Sequence, residues 1–483
     1  MLLDRRICDR ARQARDPRFD GLFFTGVLST GIYCRPICPA PEPKPENVVY
    51  FPTAAAAAHA GLRPCLRCRP EASPGSPAWN GTSTTVSRAM VLIRQGALNE
   101  GSVSDLATRL GVGDRHLRRL FKFHVGVSPT VLATTQKILF SKKLLTETAM
   151  AISEIAFASG FGSIRRFNAA FRKIYGKAPS GLRQAKDSQV AQAEARFQCE
   201  LTLSYRPPFD WPRMLAFFGE RAIPGVECVD DGVFHRTIRI NDTVGRISVT
   251  HAKEGSALKL GVALSDSREL LPLVERVRRM FDLDANVAAI QDVLSADPLL
   301  GKILEHHPGI RLPGAWDPFE TAVRAVVGQQ ISVKGARTII GRIAEKAGPR
   351  CDHSGIAGLT RFFPTAEQLC ACDLGIVGMP SKRVATIRAL SEAVANGKIV
   401  LQVNDALENF ISALTRIPGI GDWTAQYIAM RALGEPDAFP AADLGIVKAL
   451  QEGHRRPTPK QVQQRAEAWR PWRAYAAIAL WRG

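Results

Sequence analysis

The sequence has no long hydrophobic run. No stretch of its 483 residues approaches the roughly 20 consecutive apolar residues that a helix needs to cross a bilayer. The first residues, MLLDRRICDRARQARD, also lack the apolar core of a secretory signal peptide. These absences exclude a membrane partner and lead us to expect a cytoplasmic protein.

Acidic residues are scarce relative to basic ones. The chain has 45 Asp and Glu against 64 Lys and Arg, which gives a formal charge of +19 and a pI near 9.8. The excess is uneven, because residues 86–186 hold 17 basic and 5 acidic residues. A basic surface attracts polyanions and speeds their encounter, so nucleic acid is the leading predicted partner. A generally basic protein, or one bound to ribosomes, is the alternative at this point.

The length exceeds what one hydrophobic core usually supports, and it predicts about three or four domains. Hydrophobic residues make up 46% and charged residues 23%, as in ordinary globular proteins, so most of the chain is expected to fold. In a cytosolic chain, cysteines are better explained as thiols or metal ligands than as disulfides. The ten cysteines here therefore direct attention to metal binding.

Four of the cysteines form two short-range pairs, C-x3-C at Cys34 and Cys38 and C-x2-C at Cys65 and Cys68. Two such pairs on separate turns present four sulfurs to one tetrahedral Zn(II). Proline and glycine surround the four, which places them in loops and leaves the metal to supply much of the folding free energy of this segment. Spacing alone favours an inert structural zinc knuckle.

The sequence around these cysteines indicates a chemical role. The runs DGLFFTGVLSTGIYCRPICPAPEPKPENVVYF and AGLRPCLRCRPE resemble the methylphosphotriester-accepting domain of Ada-type adaptive-response regulators over nearly its whole length. The resemblance implies that Cys34 is both a zinc ligand and the acceptor of a methyl group from DNA. It also implies that Thr30, Arg35 and Arg63 approach the DNA backbone. Zinc keeps such a sulfur as a nucleophilic thiolate at neutral pH.

Two further segments have the pattern of a helix-turn-helix. In SVSDLATRLGVGDRHLRRLFKFHVGVSP, apolar residues recur at helical spacing on both sides of a Gly-Val-Gly turn, and Asp114 is the expected N-cap of the second helix. The pattern recurs in AMAISEIAFASGFGSIRRFNAAFRKIYGKAPSGLR, where Ser163 is the expected cap. Joined by a helix around TVLATTQKILFSKKLL, the two units resemble the AraC-type DNA-binding domain.

In such a domain the second helix of each unit lies in a major groove. The resemblance implies a sequence-specific transcription activator, with a promoter and RNA polymerase as partners. For any single arginine, contact with a phosphate is a simpler expectation than contact with a base. The candidate DNA contacts are Arg115, His116, Arg118 and Arg119 in the first unit and Arg165, Arg166 and Asn168 in the second.

Ada-type proteins often continue into a methylguanine methyltransferase domain. The acceptor cysteine of that domain lies in a Pro-Cys-His-Arg motif, and this tetrapeptide does not occur in the sequence. We therefore expect no methylguanine methyltransferase activity.

After a polar stretch, QAKDSQVAQAEAR, the pattern becomes that of a sheet. The runs CELTLSY, HRTIRI, GRISVT and ALKLGVAL alternate in hydrophobicity and predict strands of an antiparallel sheet. The segment YRPPFDWPRMLAFFGERAIPGVECV resembles the N-terminal domain of AlkA-type 3-methyladenine glycosylases. This small α+β domain is expected to have a structural role.

From about residue 282 the pattern is helical and contains IPGIGDWTAQYIAM. Two helices joined by a tight turn through Gly419 and Gly421 define a helix-hairpin-helix, whose glycines let backbone N–H groups approach a DNA phosphate. An ordinary helical hairpin is the alternative. Asp443, in DAFPAADLGIVKAL, follows at the distance typical of helix-hairpin-helix glycosylases. In that family the aspartate stabilises the oxocarbenium-like sugar and helps place the attacking water; Asp437 is the competing acid.

A glycosylase also needs a pocket for the base that it extrudes from the duplex. The resemblance to AlkA implies that Trp423, Tyr427 and Trp481 form this pocket, because electron-rich rings stack well on an electron-poor, cationic base. Trp469 and Trp472 are expected to pack in the core.

The same resemblance implies three further features. The segment VVGQQISV matches the one that wedges into the vacated duplex position; Gln330 stands where AlkA has an apolar wedge, and Gln329 beside it is the alternative. Carbonyl groups around Thr415 and Ile417 are candidate ligands for a monovalent cation. Trp423 stands where strand-cleaving relatives have a lysine, which implies a monofunctional enzyme that leaves an abasic site.

Together these motifs predict a multidomain α+β protein, monomeric and with one Zn(II) per chain. Its predicted function is to sense DNA methylphosphotriesters, regulate transcription and excise N-alkylated purines from double-stranded DNA. A transcription regulator whose glycosylase-like tail binds DNA without catalysis is the alternative. The predicted parts are a small four-cysteine zinc domain at 1–78, an all-α double helix-turn-helix domain at 84–186, a small antiparallel-sheet α+β domain at 195–283 and an all-α helix-hairpin-helix glycosylase domain at 284–483.

Overall fold

The computed structural model describes residues 4–70, 73, 84–99, 101–183, 197–352, 355–402 and 407–483. Most of the Pro-, Gly- and Ser-rich stretch 71–85, which has the composition of a linker, and all of the polar stretch 184–196 lie outside these residues. The predicted domain boundaries at 78, 186 and 195 lie outside them too. Within the described residues, the multidomain α+β architecture is confirmed, with two small sheets among many helices.

The cysteine-rich segment is built on a four-stranded sheet of order β3-β1-β2-β4. The β2–β4 pair is parallel, whereas β1 pairs antiparallel with both β2 and β3. Thr53 caps α2 by accepting a hydrogen bond from the backbone of Ala56. The elements are α1 (Arg5–Gln13), β1 (Phe24–Val27), β2 (Ile32–Cys34), β3 (Val48–Phe51), α2 (Ala54–His59) and β4 (Arg63–Pro64).

Both predicted helix-turn-helix units and the helix between them are present. Ser163 caps its helix as predicted, by accepting a hydrogen bond from the backbone of Arg166. The prediction that Asp114 is an N-cap was wrong by one residue, because Gly113 has the extended capping conformation and Asp114 is the first helical residue. The helices are α3 (Thr84–Arg94), α4 (Val103–Arg109), α5 (Asp114–His124), α6 (Pro129–Glu147), α7 (Ile152–Ala158) and α8 (Ile164–Tyr175).

The second sheet contains the four predicted strands and one short strand, β6, that was not predicted. It is antiparallel throughout, in the order β5-β9-β8-β7-β6. Two helices pack on it through an apolar face that includes Met214, Phe218 and Val277. The elements are β5 (Phe197–Ser204), α9 (Trp211–Glu220), β6 (Glu227–Asp230), β7 (Val233–Ile240), β8 (Thr243–His251), β9 (Ala257–Leu264) and α10 (Leu270–Met280).

The rest of the chain is helical, as predicted, around one large apolar core. The second hairpin helix, α18, continues into a π-helical turn, Ala429–Leu433. The helices are α11 (Val287–Leu294), α12 (Pro298–His306), α13 (Pro318–Val327), α14 (Val333–Ala347), α15 (Ala366–Cys370), α16 (Ser381–Ala395), α17 (Leu407–Thr415), α18 (Asp422–Ile428), α19 (Leu444–Ala449), α20 (Pro459–Ala466) and α21 (Arg473–Leu480). Among the described residues, no helix combines the length and the hydrophobicity that a membrane span requires.

The apolar cores cross the boundaries between these parts. Phe167 and Phe171 of the second helix-turn-helix unit belong to the same buried cluster as Leu203 of the sheet. Ala55 of α2 belongs to the same cluster as Phe121 of the first unit. The N-terminal half (4–183) and the C-terminal half (197–483) therefore share buried surface.

Candidate active site and zinc centre

The four predicted zinc ligands meet in one place. The sulfurs of Cys34, Cys38, Cys65 and Cys68 all lie within 4.8 Å of one another. Tetrahedral Zn(II) with Zn–S bonds of about 2.3 Å requires sulfurs about 3.8 Å apart, so the cluster fits this ion. The sheet brings the pairs together, because β2 ends at Cys34 and the backbone N–H of Cys65 donates to the carbonyl of Tyr33 at 2.9 Å.

The three residues predicted to approach the DNA backbone differ in their surroundings. Thr30 and Arg63 are exposed. The side chain of Arg35 is only 11% exposed, and its Nε donates to Asp20 at 2.9 Å while Nη1 donates to the carbonyl of Cys68 at 3.0 Å. The backbone N–H of Arg35 donates to the Cys68 sulfur at 3.3 Å. Arg35 therefore supports the cluster, and its contact with DNA stays a prediction.

The candidate arginines of the helix-turn-helix units lie at the surface. Arg115, Arg118, Arg119, Arg165 and Arg166 are all exposed. Arg118 forms an ion pair with Asp114 at 2.5 Å, and Arg119 contacts the ring of His116 at 3.1 Å. Apolar residues on the opposite faces, such as Leu117 and Phe167, are fully buried. Each second helix thus turns a basic face outward, as DNA binding requires.

Asp443 lines a cavity of about 480 Å³. Asp443 is the N-cap of α19, and its Oδ1 accepts hydrogen bonds from the backbone N–H groups of Gly445 and Ile446 at 2.8 and 3.1 Å. Two indoles complete the set: Trp481 donates to Oδ1 at 2.8 Å, and Trp423 donates to Oδ2 at 2.9 Å. The carboxylate is half-buried and held by four donors. It is oriented before any substrate binds.

The competing acid, Asp437, has a structural role. It forms ion pairs with Arg470 and Arg473, and the Nε of Arg473 lies 2.7 Å from its Oδ1. It is not among the residues that line the cavity. The two tryptophans expected in the core, Trp469 and Trp472, are 1% and 6% exposed.

The three predicted pocket aromatics line the same cavity as Asp443. The rings of Trp423 and Tyr427 stack with centroids 5.5 Å apart and an interplanar angle of 18°, and Trp481 lies 6.3 Å from Tyr427. The two α18 residues are four positions apart, one turn of helix, so their rings share a face. They form an aromatic wall with the carboxylate at its edge.

The second sheet's domain contributes side chains to this cavity, which the sequence did not indicate. Phe217, Phe218 and Arg221 of α9 and Arg236 of β7 line the same cavity. The physical reason is that the end of α9 is bonded to the helical part, where Arg324 and Arg337 donate to the carbonyls of Arg221 and Ala222 at 2.8 and 2.9 Å. Sequence motifs in the helical part cannot predict which residues of another domain line the cavity.

The cavity residues that the sequence did not indicate include Trp316 and Arg431. Trp423, Tyr427 and Arg431 follow one another at intervals of four residues, so their spacing itself indicated a shared helical face. Trp316 had no such pattern. It is 3% exposed, and the guanidinium carbons of Arg236 and Arg276 lie 5.8 and 5.6 Å from the centre of its ring.

The two hairpin glycines serve different purposes. Gly419 has φ +89°, and a Cβ there would lie 2.0 Å from the hydroxyl of Thr386, so the hairpin packs too closely for any side chain. A Cβ on Gly421 would meet no protein atom within 4 Å. The surface beside Gly421 is therefore open for a ligand such as a DNA phosphate.

The two adjacent glutamines near the hairpin also differ. The side chain of Gln329 donates to the carbonyl of Gly419 and to the hydroxyl of Thr424, both at 3.0 Å, so it braces the hairpin. Gln330 is exposed and has φ +57°. A left-handed conformation at a non-glycine residue is sparsely populated and turns the backbone sharply. Of the two, Gln330 is the one that projects from the protein.

These features define a class of protein: a helix-hairpin-helix DNA glycosylase joined to a four-cysteine zinc domain and a helix-turn-helix regulator. Sequence comparison agrees along the chain. The matching families are the metal binding domain of Ada at residues 7–71, a helix-turn-helix domain at 106–185, the AlkA N-terminal domain at 200–317 and the HhH-GPD superfamily of base excision DNA repair proteins at 323–473.

Similarity over nearly the whole chain identifies the family. A Mycobacterium tuberculosis protein described as a probable bifunctional transcriptional activator/DNA repair enzyme AlkA is 41% identical over 482 residues, 98% of this chain and 95% of the relative. The chain belongs to this family of bifunctional transcriptional activators and DNA repair enzymes. DNA-3-methyladenine glycosylase 2 of Escherichia coli is 32% identical over 285 residues, 58% of this chain and 96% of that protein.

A solved structure shows the same fold for the glycosylase half. The 3-methyladenine DNA glycosylase from Archaeoglobus fulgidus aligns with 58% of this chain and 97% of its own, with a TM-score of 0.52 and 20% identity. With the metal-binding family match, the sulfur geometry identifies a site for one Zn(II) per chain.

Proposed function

We propose that the glycosylase half excises N-alkylated purines such as 3-methyladenine from double-stranded DNA. The observation that carries this proposal is the placement of Asp443 at an aromatic-walled cavity of about 480 Å³. That volume lies in the range of small-molecule sites, so one extruded base can enter. The product is an abasic site, because Trp423 occupies the position of the strand-cleaving lysine.

The chemistry follows from the charge on the base. An N-alkylated purine is already cationic, so when the C1′–N9 bond breaks, its electron pair neutralises the departing base and no general acid is needed. Positive charge then develops on the sugar. Asp443, oriented by Trp423, Trp481 and two backbone N–H groups, stabilises that charge and helps place the attacking water. A preorganised carboxylate needs no reorientation during the reaction.

In the N-terminal half, Cys34 is proposed to accept a methyl group from a DNA methylphosphotriester. A sulfur–carbon bond forms, the methyl–oxygen bond breaks, and its electron pair restores the negative charge of the phosphate. Bound zinc keeps the sulfur as a thiolate. The four-thiolate centre changes from a formal charge of −2 to −1. At a separation of about 8 Å and an effective dielectric constant of 20 to 40, one unit of charge contributes roughly 1–2 kcal/mol for each neighbouring phosphate.

This decrease in repulsion would strengthen promoter binding and switch on the regulator. Thr30 and Arg63, exposed beside the centre, are proposed to meet the DNA backbone, and Gln330 is the proposed wedge at the extruded base.

A monomer that recruits RNA polymerase is the simplest form of such an activator. Carbonyl groups near Thr415 and Ile417 remain the proposed ligands of a hairpin cation.

A paired assay on one methylated duplex tests both activities. Wild type is expected to release 3-methyladenine and to gain one methyl group on Cys34 by mass spectrometry. Asp443→Asn is expected to lose base release, by roughly 10²- to 10³-fold, while still accepting the methyl group. Cys34→Ala is expected to show the reverse pattern.

Two matched controls distinguish these roles from general damage. Asp437→Asn alters the other aspartate of the same segment, which lies outside the cavity, and it should retain excision below its unfolding temperature. Cys228→Ala alters a cysteine outside the zinc cluster and should retain methyl transfer. If wild type binds methylated DNA but releases no base, the chain is a regulator with a non-catalytic tail. If Cys34 gains no methyl group, the zinc centre is structural.

A further inference from the structure

Arg431 is a buried cation inside the proposed base pocket. It lies in the π-helical turn that extends α18, and it is 7% exposed. Its Nη1 donates to the hydroxyl of Tyr427 at 2.8 Å, its Nε donates to the carbonyl of Pro313, and its Nη2 lies 3.5 Å from the carbonyl of Gly314. π-helical turns occur often at functional sites.

The guanidinium has more donors than the protein uses. It carries five N–H groups. The described residues provide acceptors for three of them, one on each nitrogen, so one N–H on Nη1 and one on Nη2 have no protein acceptor. Arg431 lines the cavity, with the rings of Phe217 and Tyr427 at 4.6 and 5.6 Å from its guanidinium carbon. The unused donors are therefore available to a molecule in the cavity.

The charge of Arg431 also lacks a counterion among the described residues. Five arginines line the cavity against three carboxylates. Glu227 and Glu320 form ion pairs with Arg236 and Arg324, and Asp443 is held by the two indoles. A pocket for cationic bases alone gains nothing from an unpaired buried cation, because the two positive charges repel each other.

A neutral base differs from a cationic one in the charge that it carries as it leaves. When its C1′–N9 bond breaks, the electron pair leaves a negative charge on the purine. Water adds its oxygen to C1′, and the proton that water loses neutralises the released base. A positive donor at the base lowers the energy of the charged leaving group, as an oxyanion hole does for a developing alkoxide.

We propose that Arg431 contacts the extruded base and extends excision to neutral purines, whose departure it assists by donating hydrogen bonds from Nη1 and Nη2. The inference rests on the proposed glycosylase function. Asp443 stabilises the sugar in both reactions, whereas Arg431 acts on the base and is needed only when the base leaves with negative charge. Arg431 is thus a specificity-determining residue.

The test compares two duplexes, one with 7-methylguanine as the cationic base and one with hypoxanthine as the neutral base. Single-turnover excision is measured for wild type, Arg431→Met and Arg431→Lys. Arg431→Met is expected to lower the hypoxanthine rate by about 10- to 100-fold, the effect of losing a charged donor. The 7-methylguanine rate should fall by no more than about threefold, or rise. Arg431→Lys keeps the charge and should retain more of the hypoxanthine rate than Arg431→Met.

The ratio of the two rates is measured on one protein sample, so it is independent of how much of a variant folds. Equal losses on both bases would show that Arg431 only positions Tyr427, and the proposal would be overturned. Unchanged hypoxanthine excision in Arg431→Met, or wild type that excises 7-methylguanine but no hypoxanthine, would also overturn it. Failure of wild type to excise 7-methylguanine would instead contradict the proposed function itself.

Discussion

The Nε of Arg206 donates a hydrogen bond to the backbone carbonyl of Asp20 at 2.8 Å, although 186 residues separate the two. Arg206 is 1% exposed and follows the first strand of the second sheet, whereas Asp20 lies in the zinc domain. The carboxylate of Asp20 pairs with Arg35, the residue after Cys34. The carbonyl of Arg206 in turn accepts from Arg311 of the glycosylase half. The scaffold of the zinc centre is thus bonded directly to the repair half.

We predict that Arg206→Met weakens the junction between the halves. It removes the donors to the buried carbonyl of Asp20 and the half-buried carbonyl of Asp284, which is expected to lower the free energy of unfolding by about 2–4 kcal/mol. Calorimetry should show the zinc domain unfolding at a lower temperature than the glycosylase half. Arg268→Met, at an arginine that is 73% exposed, is the control and should change little. A single unshifted transition in Arg206→Met would contradict the prediction.

The two indole donors to Asp443 are predicted to contribute unequally. Among the described residues, Trp423 alone donates to Oδ2, whereas Oδ1 keeps two backbone donors when Trp481 is changed. Trp423→Phe should therefore lower single-turnover excision of 7-methylguanine more than Trp481→Phe, by about 10-fold or more for a bond to a charged group. Phenylalanine preserves an aromatic ring at each position. The reverse order would mean that stacking, not orientation of the carboxylate, dominates.

Asp282 is predicted to make stability depend on pH. Burial raises the pKa of Asp282 to about 6, although the backbone of Leu312 and the hydroxyl of Tyr475 both donate to its Oδ2 at 2.9 Å. An acid with a raised pKa stabilises the folded state below its unfolded pKa, near 4, and this contribution is lost as the pH rises through 6. Asp282→Asn should therefore gain stability relative to wild type between pH 4 and 7.

Denaturant unfolding of both proteins at several pH values in that range measures this difference. A difference that stays constant with pH would show that the carboxyl does not change its protonation state there. Asp266→Asn, at a carboxylate that is 46% exposed, is the matched control and should track wild type at every pH.

In the regulator, Arg115 is predicted to contact a DNA phosphate. It is exposed on α5, whereas Arg118 of the same helix is paired with Asp114. Arg115→Ala should weaken binding to all sequences alike and reduce the slope of log K against log salt by about 1. Fluorescence anisotropy on the promoter and on unrelated DNA, over a range of salt concentrations, measures both. A loss confined to the promoter, with an unchanged slope, would identify a base contact instead.

Much of the site was predictable because its signals are local in sequence. The spacing of Cys34, Cys38, Cys65 and Cys68 reflects two turns that each present two sulfurs, and the structure confirms the cluster. Helix periodicity and capping residues such as Ser163 likewise act within one or two turns. The short strand β6 was missed because four residues, ECVD, are too few to show alternation.

The features that the sequence did not indicate are those that depend on distant partners. Phe217 lines the cavity from another domain, and the ion pair between Arg35 and Asp20 joins residues 15 positions apart. The sequence favoured Asp443 over Asp437, and the structure adds that Arg470 and Arg473 hold Asp437 in ion pairs.

The sequence by itself determined the metal ligands, the two helix-turn-helix units, the hairpin and the candidate aspartate, because each depends on backbone conformation and spacing over a few residues. Only the tertiary structure decided which side chains line the cavity, which arginines are exposed and how the halves join. Those outcomes depend on burial and on hydrogen bonds between groups more than 100 residues apart, such as Arg206 with Asp20 and Arg431 with Pro313. Chain packing, which no local pattern encodes, selects among the partners that each side chain could have.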